Sequence, residues 1–418
     1  MTVHPSSAPV RALTVAAPDP GNLIDAMPRE GVAWVRRGEG MIAWGEAARI
    51  DVTGPTRIDD AHAWWRQLIR HATIRDEVRE RGTGPLAFGS FSFADNSAAG
   101  GTLIVPRYVW GRRGGTSWFT SVTVDGGEHP TLTDALGTLT PPAPLGMVRE
   151  EPTDPEPWHR AVTAAIARIG QGTVDKVVLA RAVDATAQHP IDSRTVVARL
   201  AEAYPTCWTF HVDGLVGATP ELLARVDHGL VASRVLAGTI RMTGNDVSDL
   251  ARAGALARSS KDREEHLYAV TSVTEVLEAH CGSVNVPEEP SVLHLPNVMH
   301  LATDVTGVLS HHASALELVG ELHPSAAVCG TPTVAAAHVI DQLENLDRER
   351  YAGPVGWIDS AGEGEWCIGL RSAAISRTNP HRVRMFAGCG IVAASHPESE
   401  WLESEAKLEP MRQALGII

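Results

Sequence analysis

Short β-branched and aromatic segments bounded by glycine recur along this chain, and they constrain its fold more than any other feature. Segments of this kind are typical of strands. They lie at 86–93, 102–111 and 117–124 in the first part of the chain, and at 173–185, 207–214, 215–227 and 229–240 in the second. Three more strands are expected at 353–359, 365–375 and 381–395. Because strands dominate and helices are inserted among them, the sequence predicts an α+β fold of antiparallel sheets covered by helices.

Helical patterns occur in four places. They predict a helix over 193–204, one long helix over 251–279, a helix over 331–343 and a last helix that begins after Pro397. Proline suits the first turn of a helix, where its missing N–H is not needed. In the long helix, Leu267, Val270 and Val273 belong to the expected buried stripe.

Proline-rich stretches suggest how the chain is divided. Residues 1–20 contain four prolines and are expected to be loose. The stretch from Thr140 to Pro157 contains six prolines and is expected to be an exposed connection. The sequence therefore predicts a strand-rich N-terminal part at 21–150 and a second region at 151–418, the two together forming one composite domain.

Composition excludes several classes of protein. The chain has 36 Lys and Arg residues against 50 Asp and Glu residues, and a net charge of −14 disfavours nucleic-acid binding. No run of about 18 apolar residues occurs, so no membrane span is expected. The five cysteines are an odd number without a CxxC pair, which is typical of reduced thiols in a cytoplasmic protein. No long heptad pattern indicates a coiled-coil dimer, and a monomer is expected.

Two glycine patterns, which begin at Gly38 and Gly388, fit the GxGxxA form of a nucleotide-binding loop. Such a loop must open a helix directly, because the phosphates bind at the helix N-terminus. The second pattern is followed by AASHPE, whose proline delays any helix, and the first lies among short polar segments. Neither pattern predicts a nucleotide site.

Acidic residues on two predicted helices suggest a metal site. On the last helix, Glu400, Glu403 and Lys407 share one stripe at i, i+3 and i+7. The segment SSKDREEH on the long helix adds Asp262, Glu264 and Glu265. Carboxylates combined with water suit Mg²⁺, a hard cation that is rarely held by protein ligands alone. The alternative is a solvated helix face with an ordinary Glu403–Lys407 pair.

Three charged residues lie in apolar surroundings. Lys176 in VDKVVLAR is either a snorkelling lysine or a buried base whose charged form is disfavoured. Glu221 in GATPELLAR is either a solvated glutamate at a strand edge or a buried acid with a raised pKa. Arg371 in CIGLRSAA either pairs structurally or holds a substrate carboxylate.

Nine segments in order carry a family resemblance. They are KVVLAR, GATPELL, LAGT, SSKDREEH, HLAT, LHPSAAVCGTP, DSAGEGEWCIGLR, FAGCGIV and ESEWLESEAKL. This set resembles the chorismate-utilising enzymes, the family of anthranilate synthase component I, and within it the isochorismate synthase branch. The resemblance covers residues 154–415 well and 86–113 weakly. It implies the fold of that family, with an active-site cleft between antiparallel sheets.

The resemblance also implies an activity and residue roles. The activity is the Mg²⁺-dependent isomerisation of chorismate to isochorismate, which feeds menaquinone or siderophore synthesis. Lys176 would be the base that activates water for attack at ring carbon 2, and Glu221 the acid that protonates the departing 4-hydroxyl group. Glu265, Glu403 and Glu400 would hold Mg²⁺, with Asp262 or Glu264 as further candidates. The substrate would be bound by Gly238, Thr239, His300, Thr303, Arg371, Gly388, Gly390 and Lys407.

Other functions remain open at this point. A salicylate synthase shares Lys176, so this lysine does not separate the two activities. A catalytically silent chorismate-binding subunit would be expected to lose Lys176 and Glu221, and both are present. An unrelated carboxylate-bound metal hydrolase would be indifferent to chorismate. Cys389 stands where the family commonly has alanine; by the resemblance it would lie near the substrate, and a thiol there could be alkylated.

Overall fold

The computed structural model describes residues 9–124 and 126–417. Within these ranges the strands are β1 (Arg11–Ala16), β2 (Val32–Arg36), β3 (Glu39–Val52), β4 (Thr73–Asp76), β5 (Leu86–Phe91), β6 (Gly101–Arg113), β7 (Thr116–Thr123), β8 (Val148–Glu150), β9 (Lys176–Ala187), β10 (Trp208–Val212), β11 (Leu215–Thr219), β12 (Leu222–Asp227), β13 (Leu230–Arg241), β14 (Cys281–Asn285), β15 (Ser291–His294), β16 (Val298–Leu309), β17 (Gly330–Thr331), β18 (Pro354–Asp359), β19 (Gly364–Ile368), β20 (Ser372–Ile375) and β21 (Arg382–Ile391). The helices are α1 (Arg57–Ile69), α2 (Leu132–Leu136), α3 (Glu156–Gly170), α4 (Ser193–Ala203), α5 (Asp246–Arg258), α6 (Ser260–His280), α7 (Ala315–Leu322), α8 (Thr333–Glu344) and α9 (Pro397–Leu415), with one 3₁₀ turn at Leu23–Ala26.

The strands form two series of antiparallel neighbours, here called runs, which are joined by a further pair of strands. The first run follows the order β2, β10, β11, β20, β21, β9. The second run follows the order β5, β18, β19, β12, β13, β16. Strands β3 and β6 pair with each other and connect the runs, because β3 also pairs with β2 and β6 also pairs with β5. Each run therefore mixes strands from before and after residue 150.

Buried side chains hold the two runs and their helices together. An aromatic cluster joins strands of both runs through Trp34, Phe88, Phe210 and Trp357. Helices α4 and α9 cover the first run, whereas α6 and α7 cover the second. Burying an aromatic side chain removes a large apolar area from water, so such a cluster contributes strongly to stability. The predicted α+β architecture of antiparallel sheets and covering helices is confirmed.

Several local predictions are wrong. The segment predicted as one long helix forms two, because Ser259 is extended and its side chain accepts the N–H of Asp262 to cap α6. Val270 and Val273 are buried as expected, but Leu267 is 64% exposed. The strand expected at 365–375 is interrupted at Arg371, which has a positive φ of 49°.

The chain start also differs from expectation. Residues 11–16 form β1, which pairs with β7 and β4, so the prediction of a loose start is wrong there. Residues 1–8 lie outside the described part of the chain. Among the described helices, none combines the length and the apolar character that crossing a membrane requires.

Candidate active site

A pocket lies between the two runs, where β9 and β21 of the first run approach β13 and β16 of the second. Gly238 bends β13 here: it has a φ of +76°, and an added Cβ would lie 2.9 Å from Cβ of Asp262. Only glycine tolerates both constraints easily. The predicted site residues that line the pocket are Glu221, Gly238, Thr239, Glu265, His300, Arg371, Gly388, Gly390 and Lys407. The sequence-based site is thus largely gathered into one place.

Lys176 begins β9 and has no exposed surface. Its Nζ lies 3.5 Å from Oε1 of Glu265 and 3.4 Å from the backbone oxygen of the same residue. Burial lowers the pKa of Lys176, and the negative charges of Glu265 and Glu221 oppose that shift. Lys176 is not itself part of the pocket wall but lies directly behind Glu265.

Glu221 follows Pro220 in the short link between β11 and β12, and it is 4% exposed. Its own N–H is 3.3 Å from the Thr219 hydroxyl oxygen. Burial raises the pKa of Glu221 to about 8, although the amide of Leu236 and the charge of Lys176 act in the opposite direction. At neutral pH this carboxyl is therefore mainly protonated, which is the state that a proton donor needs.

Arg371 and His300 form a buried pair on the pocket wall. Nη2 of Arg371 lies 2.7 Å from Nε2 of His300, whereas Nη1 has no hydrogen-bond partner. Burial lowers the pKa of His300 well below its ordinary value, with a further contribution from Arg371, so the imidazole is neutral. Its Nδ1 lies 3.1 Å from the Thr239 hydroxyl. The free guanidinium N–H of Arg371 is a ready donor for an anionic substrate group.

Lys407 extends from α9 to the same wall. Its Nζ donates to the Gly388 backbone oxygen at 2.9 Å and lies 2.6 Å from Oε1 of Glu403. Burial opposes the charged form, but nearby negative groups, Glu403 foremost, together raise the pKa of Lys407. Lys407 therefore remains a cation in the pocket, on the same wall as Arg371.

Three carboxylates on two helices meet beside the pocket: Glu265 on α6, and Glu400 and Glu403 on α9. Oxygens of Glu400 and Glu403 lie, together with the Cys389 sulfur, within 4.8 Å of one another. Burial, reinforced by Glu403, raises the pKa of Glu400 to about 7. At Gly390, an added Cβ would lie 1.9 Å from Oε1 of Glu265, so only glycine leaves room for this carboxylate. Clustered buried carboxylate oxygens fit a hard divalent cation such as Mg²⁺.

Some predicted residues lie elsewhere. Thr303 is not part of the pocket wall, and its hydroxyl lies 2.7 Å from Nε2 of the buried His266. Glu264 is exposed on α6. Asp262 packs against Gly238 by its Cβ.

Sequence reasoning missed further residues at the site. Tyr351 and Arg348 line the pocket, and Lys261 binds Glu400 with an Nζ–Oε1 distance of 2.7 Å. Only three of the 36 basic residues are lysines, at 176, 261 and 407. That rarity is a signal in the sequence that points to Lys261 as well as to the other two.

Comparison with known proteins identifies the class. The profile of the chorismate binding enzyme family matches residues 27–416. This match covers most of the chain, and the chain belongs to that family. The prediction of an enzyme of the chorismate-utilising family is confirmed.

The relatives in this family narrow the assignment. Isochorismate synthase EntC of Escherichia coli strain K12 is 40% identical over 265 residues, which cover 62% of this chain and 67% of EntC. Isochorismate synthase MenF of Bacillus subtilis is 32% identical over 377 residues, which cover 84% of this chain and 79% of MenF. The solved structure of MenF, the menaquinone-specific isochorismate synthase from Escherichia coli, superimposes with a TM-score of 0.80 at 26% identity, and covers 99% of this chain and 96% of that one. The predicted fold of the family is confirmed.

Proposed function

We propose that this chain is an isochorismate synthase, an isomerase that converts chorismate to isochorismate with the help of Mg²⁺. One observation carries the proposal: Lys176 and Glu221 are both buried at one site, and burial shifts their pKa values in opposite directions towards neutrality. A pair of groups tuned in this way can accept a proton on one side of a substrate and donate one on the other. The names of the relatives support the same activity.

The pocket residues suggest how the substrate is held. Arg371 is a buried cation and Lys407 a half-buried one, and chorismate carries two carboxylates. The terminal nitrogen Nη1 of Arg371 has no hydrogen-bond partner, and Nη2 is held by the neutral His300. Charge-assisted hydrogen bonds in a water-excluded pocket orient an anion strongly. Lys407 and Arg371 therefore serve as anchors for substrate carboxylates.

The reaction then needs two proton transfers. Lys176 in its neutral form takes a proton from a water molecule while the water oxygen bonds to ring carbon 2. Glu221 gives its proton to the 4-hydroxyl group, the carbon–oxygen bond at carbon 4 breaks, and the ring double bonds shift. One water is consumed and one is released, so the reaction is an isomerisation. Exclusion of bulk water from the pocket strengthens the electrostatic interactions of Lys176 and Glu221 with the reacting groups.

Glu265, Glu403 and Glu400 would hold Mg²⁺. When bound, the ion would neutralise a substrate carboxylate and the charge that develops near it. The closeness of the Glu400 and Glu403 carboxylates, and the electrostatic interaction of Glu403 with Glu265, support this part of the proposal. Glu265 contributes by holding its carboxylate in the space that Gly390 leaves free.

The test is an incubation with chorismate and MgCl₂ followed by chromatographic separation of the products. Isochorismate alone is expected. Salicylate with pyruvate would indicate a salicylate synthase, anthranilate in the presence of ammonium would indicate an anthranilate synthase, and no turnover would indicate a silent binder. Chelation of divalent ions should stop the reaction, and added Mg²⁺ should restore it.

Variants test the assigned roles. Lys176→Ala and Glu221→Gln should each lower kcat by at least about 10²-fold, the range typical for loss of a general acid or base. Glu265→Gln removes one proposed metal ligand and should raise the Mg²⁺ concentration needed for activity. Glu264→Gln is its matched control, because Glu264 is exposed on the same helix. Activity retained in Lys176→Ala or Glu221→Gln, with the fold intact by circular dichroism, would refute the acid–base assignment.

We also propose that the protein acts as a monomer in the cytoplasm. All five cysteines are unpaired, which suits a reducing compartment. Sedimentation at micromolar concentration should give the mass of a single chain, and a stable dimer would contradict this.

A further inference from the structure

The lysines of this chain are concentrated at one place. The chain has three lysines among 36 basic residues, and the structure pairs each with a carboxylate: Lys176 with Glu265, Lys261 with Glu400 and Lys407 with Glu403. All other ion pairs among the described residues use arginine or histidine as the cation. A lysine ammonium group is a compact point charge, whereas the guanidinium group is a wide planar fork. The chain therefore uses the compact cation only in this cluster.

Lys261 has no part in the proposed proton transfers or substrate anchoring. It lies in the first turn of α6, and its Nζ donates to Oε1 of Glu400 at 2.7 Å. The Glu400 side chain is 2% exposed and that of Lys261 is 27% exposed. The ammonium group also interacts electrostatically with Glu403 and Glu265. It is thus a positive charge among all three proposed metal ligands.

An ordinary structural role is the first alternative. A buried carboxylate needs a partner, and losing that partner is strongly destabilising. That role would account for the bond to Glu400 and nothing more. It would not connect Lys261 with the other two carboxylates, which already have partners in Lys407 and Lys176.

We infer that the Lys261 ammonium group substitutes for the metal ion in the metal-free protein and must move away from Glu400 when the ion binds. This inference rests on the proposed function, because it requires the metal site. Before the ion binds, Lys261 neutralises Glu400 and keeps the site folded. Afterwards it is a like charge close to the ion, so it weakens ion binding and sets the affinity of the site. Lys261 is therefore a positioning residue that acts through Glu400.

Metal binding by Lys261→Met tests this inference. Methionine keeps the length and apolar stem of lysine but removes the charge. Mn²⁺ binding to the protein without substrate, measured by electron paramagnetic resonance, should be at least about tenfold tighter than in the wild type, because a repelling unit charge is gone. The metal-free variant should unfold at a lower temperature, and added Mg²⁺ should raise its Tm more than that of the wild type.

Two controls separate charge from structure. Lys261→Arg keeps a cation and should not bind Mn²⁺ more tightly than the wild type. Arg263→Met removes an exposed cation of the same helix that pairs with Glu289, so it reports the effect of net charge alone and should leave the affinity unchanged. Affinity in Lys261→Met no tighter than in the wild type would overturn the inference.

The lysine signals give an independent readout that does not depend on the variant folding. In protein labelled with ¹³C-lysine, three side-chain Cε signals are expected, and Lys261→Arg identifies the signal of Lys261. Added Mg²⁺ should shift that signal, and a signal that stays in place would overturn the inference. If Glu403→Gln loses Mn²⁺ binding while Lys261 does not respond, the metal site stands and only this inference fails. If the wild type binds no Mn²⁺, the metal site itself fails.

Discussion

Glu221→Gln tests whether a buried, protonated carboxyl is part of this fold. Burial raises the pKa of Glu221 from 4.5 to about 8. A raised pKa means that the folded state binds the proton more tightly than the unfolded state. Below about pH 4.5 the carboxyl is protonated in both states and does not reduce stability. As the pH rises towards 8, the unfolded chain releases the proton while the folded protein keeps it, so the free energy of unfolding falls. At about 1.36 kcal/mol per pKa unit, the full cost is about 5 kcal/mol.

Glutamine has nearly the same shape as glutamate, but its side chain does not titrate. Between pH 5 and pH 8.5, the free energy of unfolding of the wild type should fall by about 4 kcal/mol more than that of Glu221→Gln. Groups that do not interact with Glu221 titrate equally in both proteins, so their contributions cancel, and Lys176 is the neighbour whose titration changes with the substitution. Urea unfolding of the metal-free proteins at the two pH values, followed by tryptophan fluorescence, measures it directly.

The reasoning would be refuted if the two proteins lost stability in parallel, with a difference below about 1 kcal/mol. That result would mean that Glu221 ionises freely, and it could not then hold a proton for the 4-hydroxyl group at neutral pH. The wild-type kcat/KM should also decline as the pH rises through about 8, because the protonated form of Glu221 is the active one.

Three further predictions concern substrate, metal and thiols. Arg371→Ala should raise KM for chorismate by about 10- to 100-fold with a smaller change in kcat, since it removes a charged hydrogen bond, and steady-state kinetics measure this. Gly390→Ala should weaken Mn²⁺ binding in the spin-resonance assay while the protein stays folded, because the added Cβ would lie 1.9 Å from Oε1 of Glu265. Of the five cysteines only Cys281 is not buried, so iodoacetamide should label it first in the folded protein, and early labelling of Cys389 by mass spectrometry would contradict the structure.

Local patterns predicted many elements of the fold but missed others, among them β3, β16 and α3. Two of the wrong predictions have identifiable causes. Ser259 and Asp262 carry a helix-start signal, but the apolar spacing on both sides of Ser259 suggested one continuous helix. The capping bond decides against continuity, because it satisfies the Asp262 N–H only when Ser259 is extended. The break at Arg371 had no such signal, since a positive φ is uncommon for any residue other than glycine.

The sequence predicted which charged residues of the candidate site are buried, but not which neighbouring side chains they contact, because those contacts depend on packing between distant segments. A lone lysine, glutamate or arginine in an apolar segment indicates burial, and Lys176, Glu221 and Arg371 are buried. The position of Thr303 depended on which face of β16 the cleft would use, and its hydroxyl contacts His266 instead of the pocket. The rarity of lysine points to Lys261, but its contact could not be predicted from local sequence, because Glu400 lies on α9, 139 residues further along the chain.

The glycines of β21 explain why a pattern resembling a nucleotide loop occurs without a nucleotide site. Gly388 and Gly390 are two residues apart on one strand, so they present the same face. A Cβ at Gly388 would lie 2.7 Å from the Leu179 backbone oxygen on β9, and a Cβ at Gly390 would lie 3.0 Å from Cε of Lys176. Helix α9 begins after this strand at Pro397, so the glycines cannot present a helix N-terminus to a phosphate. The missing side chain of Gly390 leaves the space that Glu265 and Lys176 occupy, and that of Gly388 allows the close approach of the β9 backbone. This close packing explains why a strand interior contains two residues of low strand propensity.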